Sequence, residues 1–382
     1  MKKINFKLIL LSLLISVISL PLAEKVFHFS VSQLAELKGI YIKPVCPQIS
    51  SKSFFNLELQ DSLSNYIESE ISNKNALVRL RNQIAFTVFN ESTNKEIIVG
   101  KHNYLFEKID IDFYTGNTWF DSTWMSKRIE LLTDVTDSLK KRNIDLLVVF
   151  APNKPSFMPE NIPDKYLRSY TNDNIYKTCS DLMAQSKIPF IDFNNYFRSL
   201  KDKSPTEIFP KGNAHWSYYA GTIAADSIAR YIRRQFHIPL YNYRWYVPPP
   251  TNKTNYQEGD LATTLNLLNP FRDGEYVYPI LEITDSVNCV KPDVVFIGDS
   301  FAWTLIFSYL PHKIFSENFE FWDYNRKIWS PYKNETVNID QLDYKNEFLK
   351  KQVIIIVEGG LHYNDIGHGF IDKTYELFHG KK

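Results

Sequence analysis

The chain has 382 residues and a formal net charge of +1, from 44 basic and 43 acidic side chains. That near-balance, with no Lys/Arg cluster, speaks against a nucleic-acid partner. The length suits one large core, alone or with a small appendage. Aromatic residues are 15% of the chain, enough to fill a core and leave flat apolar faces of the kind that suit sugar rings.

Met1-Lys2-Lys3 and Lys7 precede an apolar segment from Leu8 to Leu22, the pattern of an export signal. Ala23 would serve at one position of a cleavage site and Pro21 fits the other badly. Residues 1–23 therefore read equally as a removed peptide or as an uncleaved membrane anchor, its lysines in the cytoplasm and the remainder outside. Cys46, Cys179 and Cys289 are widely spaced and fit no zinc pattern. They suit one disulfide plus a free thiol, or three buried thiols. Residues 24–95 form a separate region. The spacing of Phe55, Leu59, Leu63, Tyr66, Ile67 and Ile71 predicts a helical stalk or collar with a solvated charged face.

The main body, residues 96–382, opens with a hairpin: a strand at Ile97–Val99, a polar turn containing His102, and a second strand. Helical spacing over Trp124–Arg142 leads into a continuous apolar strand, Ile144–Phe150. The alternation continues with a helix around Asp173–Ser186, a strand at Pro189–Phe193 and a helix at Tyr218–Phe236. Two further strands follow, Val294–Ile297 and Val353–Val357. Such alternation predicts an α/β fold with a mostly parallel sheet covered by helices on both faces. No Gly-rich phosphate-binding motif occurs, which leaves a nucleotide-binding reading without support, and no cofactor is expected. The nearest approach to metal-ligand spacing, His362 to His368, reads as an exposed tail, so no metal is expected either.

Two stretches carry chemistry. In Lys291–Thr304 a buried strand runs into Gly298-Asp299-Ser300 and then a helix. Ser300 is thereby placed where open α/β sheets bind ligands, and where free backbone N–H groups meet developing negative charge. The alternative is that Asp299 or Ser300 simply caps the helix. In Phe209–Gly221, FPKGNAHWSYYAG, His215 falls at a loop-to-helix junction, flanked by Asn213 and Trp216. Its ordinary pKa near 6.5 lets it accept and return a proton around neutrality.

GNAHWS (Gly212–Ser217) followed by IGDSFAW (Ile297–Trp303) resembles the permuted SGNH-hydrolase domain of the AlgJ/AlgX-type polysaccharide O-acetyltransferases. Gly100–Phe106, Ala151–Pro159, Glu258–Leu265 and the closing strand Ile354–Glu358 agree, in the family's order. The resemblance runs from about Glu96 to the C-terminus. It implies an SGNH hydrolase-like, flavodoxin-like sheet. It also implies a Ser300 nucleophile that takes up an acetyl group and passes it to a polysaccharide hydroxyl, with His215 as the base. The donor would be a membrane-bound acyltransferase, and the protein would be periplasmic, tethered to the inner membrane through its N-terminal segment. Asp299, Asn153 and Trp216 are the candidates for oxyanion or substrate contacts. There is one departure. Where the family has Asp two residues before His, this chain has Asn213. Three readings follow: Asn213 orients His215 in a slower enzyme; another acid, from Asp299, Asp192 and Asp260, does so; or the domain is an impaired carbohydrate-binding or scaffold protein of an export machine. A carbohydrate acetylesterase would use the same residues.

Overall fold

The computed structural model of the chain describes residues 6–27, 34–39, 43–48, 51–55, 57–71, 74–171, 174–254, 258–271, 274–333 and 336–380. Lys2, Lys3 and Asp173, used above, lie outside them. The chain divides into two units, Met1–Asn94 with Ala262–Phe271, and Lys95–Leu261 with Arg272–Lys382.

The first unit is helical, with helices Phe6–Phe27, Leu57–Ser69 and Lys74–Phe89. A buried asparagine and a half-buried arginine stitch the last of these to the segment 262–271, where Asn82 Nδ2 donates to Leu265 O at 2.8 Å and Arg79 Nη1 to Leu267 O at 3.2 Å. Among the described residues, no helix is long and apolar enough to cross a membrane.

The second unit carries an antiparallel ribbon, β1 (Ile97–Val99) with β2 (Leu105–Glu107). Its main strands are β3 (Asp145–Phe150), β4 (Phe190–Asp192), β7 (Val294–Gly298), β8 (Glu320–Asp323), β9 (Lys327–Trp329), β10 (Val337–Asn338) and β11 (Val353–Glu358). They form a seven-stranded sheet in the order β10-β9-β8-β7-β11-β3-β4. The five strands from β8 to β4 run parallel, and β9 and β10 fold back antiparallel at one edge. A second ribbon pairs β5 (Asn242–Tyr246) with β6 (Ile280–Asp285). The mostly parallel α/β sheet anticipated from the alternation is present. The added antiparallel strands are short and polar-interrupted, and so left no periodic signature.

Side chains of successive strand residues enter opposite cores, as strand geometry requires. Leu147, Val149, Phe296 and Ile355 pack into one, and Leu146, Val148, Ile297 and Ile356 into the other. The helix Tyr218–Gln235 buries Ala220, Ile223 and Ile228 on the first side. The helices Ser122–Lys140, Ile175–Gln185 and Phe370–His379 cover the second. Caps fix the helix starts: Asp121 accepts from Thr123 N and Trp124 N, and Ser217 Oγ from Ala220 N.

Two glycines allow close approaches that position the site. A Cβ on Gly298 would stand 2.1 Å from Val357 O, and one on Gly221 2.8 Å from Thr304 O. The helix that follows His215 therefore crosses tightly over the helix Phe301–Ile306 that follows Ser300.

Candidate active site

Register brings the carboxyl ends of five strands to one edge. Gly298 pairs with Val357 and with Asp323, Glu358 with Phe150, and Phe150 with Asp192. Ser300 follows β7, Gly359-Gly360 follow β11, Asn153 follows β3, Asn194 follows β4 and Tyr324 follows β8. An open α/β sheet offers its ligand crevice at this edge.

Ser300 Oγ lies 2.7 Å from His215 Nε2, and His215 Nδ1 lies 2.6 Å from Asp260 Oδ2. Asp260 Oδ1 accepts from the backbone N–H of Ala214 at 2.8 Å and from that of Leu261 at 2.6 Å. The carboxylate is thus held by fixed donors while its second oxygen faces the imidazole. Burial by itself would lower the His215 pKa. The hydrogen bond and charge of Asp260 outweigh it, helped by Asp299 and Glu107, and the pKa stands above its ordinary value.

Asn213 does not face His215. It is buried, its Oδ1 accepts from Gly259 N at 2.6 Å, and its backbone O accepts from Lys154 Nζ at 2.6 Å. The amide therefore supports the turn that presents Asp260, one of the three acids considered. The other two are engaged elsewhere. Asp192 accepts from Tyr176 Oη at 2.7 Å and from Asn194 N at 2.9 Å. Asp299 caps Phe301 N through Oδ1 at 3.0 Å and accepts from Gly359 N through Oδ2 at 2.6 Å. Asp299 is thus a clamp between the Ser300 turn and the end of β11, not a free substrate ligand.

Trp216 is also a brace. It is buried, and its Nε1 donates to Phe301 O at 3.2 Å across the two site-bearing segments. Asn153, the candidate oxyanion donor, turns its amide nitrogen to Asp110 Oδ1 at 2.9 Å. Burial pushes Asp110 up to about 7, reinforced by the charge of Glu107 and opposed by His215 and by the Asn153 bond. Lys154 is almost wholly buried. Its ammonium donates to the carbonyls of Leu105, Pro210, Lys211 and Asn213 at 2.8, 2.8, 2.9 and 2.6 Å. It fastens the β1–β2 ribbon to the loop that delivers His215.

Composition gave no warning of Tyr324. It holds a left-handed backbone, φ 49°, as does Asn325, and its N–H donates to Gly298 O at 2.8 Å. Burial raises its pKa, and hydrogen bonding from the Ser300 hydroxyl and amide opposes that shift. A non-glycine residue in that conformation is uncommon and concentrates at functional sites.

The segment His362–His368 is not an exposed tail. Tyr363 is buried with its ring 4.5 Å from Phe150, and His368 Nε2 is 3.3 Å from Glu358 Oε2. Burial pushes Glu358 up to about 7, with His368 opposing. Among the described residues no group of three or more His, Cys, Asp or Glu side chains is placed to hold a metal ion. The cysteines are unpaired, with Cys46 exposed and Cys179 buried.

The family model of the SGNH hydrolase-like domain of acetyltransferase AlgX matches residues 97–309. The chain belongs to this family. No curated protein matches it. Among solved structures it is similar to the O-acetyltransferase domain of Pseudomonas putida AlgJ, with 16% identity and a TM-score of 0.50 over 74% of this chain and 99% of that one. Pseudomonas aeruginosa AlgX gives 13% identity and a TM-score of 0.45 over 72% and 67% of the two chains. Bacillus cereus PatB1 gives 11% and 0.42 over 70% and 96%. At 16% identity the AlgJ likeness speaks to the fold alone.

Proposed function

We propose that this protein is an exported O-acetyltransferase that moves an acetyl group, through an acyl-enzyme on Ser300, to hydroxyls of a cell-surface or secreted polysaccharide. The observation that carries the reading is the line of three groups, Ser300 Oγ, His215 Nε2 and Nδ1, and Asp260 Oδ2, at 2.7 and 2.6 Å.

With Nδ1–H donated to Asp260, His215 Nε2 is the free base. Ser300 Oγ attacks the acetyl carbonyl of the donor while Nε2 takes its proton. The tetrahedral oxyanion collapses, the donor's leaving group departs with that proton, and the acetyl ester of Ser300 remains. A sugar hydroxyl then gives its proton to Nε2 and attacks the ester. Collapse returns the proton to Ser300 Oγ and releases the acetylated sugar. The Ser300 backbone N–H supplies one oxyanion donor. Asp260 supplies the fixed negative charge that stabilises the imidazolium in both steps, and this supports catalysis over the impaired binding-module reading, which rested on Asn213.

The lysine-flanked apolar run Leu8–Leu22 supports export to the periplasm. By family resemblance, a membrane-bound acyltransferase is the acetyl donor. The test is a chromogenic acetyl ester with wild type, Ser300→Ala and His215→Ala, followed by mass spectrometry of the serine peptide and by an acceptor polysaccharide. Ser300-dependent release, an acetylated Ser300 peptide and acetyl transfer to the sugar are expected. Equal background in all three proteins would sink the reading, and free acetate alone with acceptor present would make the protein an esterase.

A further inference from the structure

A cavity of about 190 Å³ opens at the carboxyl ends of β11, β3 and β4, lined by Tyr114, Tyr170, Tyr176, Tyr363, Asn153 and Arg198 among others. It lies one strand along the crevice from Ser300, since Gly360 lines it and the preceding Gly359 N–H donates to Asp299 Oδ2. The volume exceeds the ~150 Å³ known to take a benzene ring, so it has room for one six-membered ring. Its walls are aromatic and fixed. Tyr176 Oη donates to Asp192 at 2.7 Å, and the Tyr176 and Tyr363 rings lie 6.0 Å apart. Tyr114 and Tyr170 lie 5.2 Å apart, their segments joined by Thr171 N donating to Thr115 O at 3.1 Å.

One polar atom in this wall is unexplained. Asn153 is 6% exposed, its Nδ2 is committed to Asp110, and its Oδ1 has no hydrogen-bond partner among the described residues. A buried acceptor is ordinarily satisfied, and the group it lacks is a donor. Neighbouring Asn194 is satisfied, because its Oδ1 accepts from Ser156 Oγ at 3.2 Å and its Nδ2 donates to Asp192 at 3.1 Å. Flat apolar walls, one orphan acceptor and the guanidinium of Arg198 at the rim match a ring with C–H faces and hydroxyl edges.

We propose that this cavity is a subsite for one pyranose ring of the acceptor polysaccharide, next to the ring whose hydroxyl reaches Ser300. A ring hydroxyl donates to Asn153 Oδ1, and the tyrosine faces carry the C–H surfaces. The proposal names the acceptor site of the transferase reading and rests on it.

The test is titration of the full-length Ser300→Ala protein with hexasaccharides of β-1,4-glucan, β-1,4-mannan, β-1,4-linked N-acetylglucosamine and polyuronate, followed by ligand-observed NMR. At least one is expected to bind. Tyr170→Ala, at an exposed ring, and Asn153→Ala are expected to weaken it by about tenfold or more. Tyr332→Ala, at the opposite edge of the sheet, should bind as the parent does, and thermal melts check that each variant is folded. Binding by none of the four sugars, or unchanged affinity in a folded Tyr170→Ala, overturns the subsite. The acetyl-ester assay on Ser300 is scored separately. Ser300-independent release defeats the transferase reading, whereas Ser300-dependent release with an indifferent cavity defeats only this proposal.

Discussion

Asp260 grips the His215 segment through both carboxylate oxygens, Oδ1 on the backbone N–H of Ala214 at 2.8 Å and Oδ2 on the imidazole Nδ1 at 2.6 Å. One side chain thus fixes both the position of the histidine and its tautomer. Asp260→Asn is nearly isosteric but removes the charge. With its amide oxygen on the Ala214 and Leu261 N–H groups, its NH2 faces Nδ1 and must donate to it, which moves the imidazole proton to Nε2. The substitution should lower kcat by about 10⁴, as in other serine triads, whereas Ser300→Ala or His215→Ala should leave only the residual rate of binding and the oxyanion site. Steady-state and single-turnover acetyl release check this. An Asp260→Asn variant within about threefold of wild type would remove Asp260 from the mechanism.

Asn213 behaves differently because it holds the turn, not the imidazole. Asn213→Asp should not raise the rate, since Nδ1 already has its carboxylate. Asn213→Ala leaves the Gly259 N–H unpaired in a buried place. It should cost about 1–3 kcal/mol of stability and, by loosening Asp260, up to about a hundredfold in kcat. Urea unfolding and kcat measured on the same preparations separate the two effects.

Lys154 offers a structural test. Replacing it with Met leaves four backbone carbonyls without their ammonium donor. The loss should be about 1–3 kcal/mol, the cost of leaving a buried acceptor unsatisfied, with His215 misplaced as a consequence. Chemical denaturation would show it as a lower midpoint with an unchanged slope.

The pH dependence of kcat/KM follows from His215. In the proposed mechanism the base works unprotonated, and its pKa is raised by Asp260 and neighbouring acids against the pull of burial. The acid limb should therefore fall above the ordinary histidine value of about 6.5, with the rate rising as pH increases through it. In Asp260→Asn the largest raising influence goes, leaving only Asp299 and Glu107 against burial, so the limb should move to lower pH. A limb that stays in place would mean that another group controls it.

Stability carries its own pH signature at Asp110, whose folded pKa is about 7 against an ordinary 3.8, mainly through burial. Between those values the unfolded chain ionises the group while the folded one keeps it protonated. The Asp110 contribution is therefore present at low pH and is lost as pH rises through that window, at up to about 1.4 kcal/mol per pH unit. Asp110→Asn should flatten the fall in Tm between pH 4 and 7 relative to wild type. An unchanged slope would mean that Asp110 ionises normally.

The sheet was legible because its buried strands, Val294–Ile297 and Val353–Val357 above all, are unbroken β-branched and apolar runs between helical spacings. Strand β9, Lys327–Trp329, was not, because three residues after a left-handed turn leave no pattern. Ser300 and His215 could be singled out because a strand-to-helix turn and a loop-to-helix junction confine them to few positions. Asp260 could only be offered beside Asp192 and Asp299, because nothing local distinguishes a carboxylate whose partner is 45 residues away. The roles of Lys154 and Tyr324 depend on carbonyls and turns contributed by other segments, which a linear reading cannot bring together.

The proposed acid, base and nucleophile thus sit on three separate turns, with the carboxylate borne at a helix start after the histidine instead of two residues before it. Sorting relatives by a two-residue motif would set this chain among the inert ones. A sounder filter asks whether any downstream turn delivers a carboxylate to the imidazole. Sequences discarded for an amide at the position of Asn213 would then be worth reopening wherever a Gly-Asp follows at suitable distance.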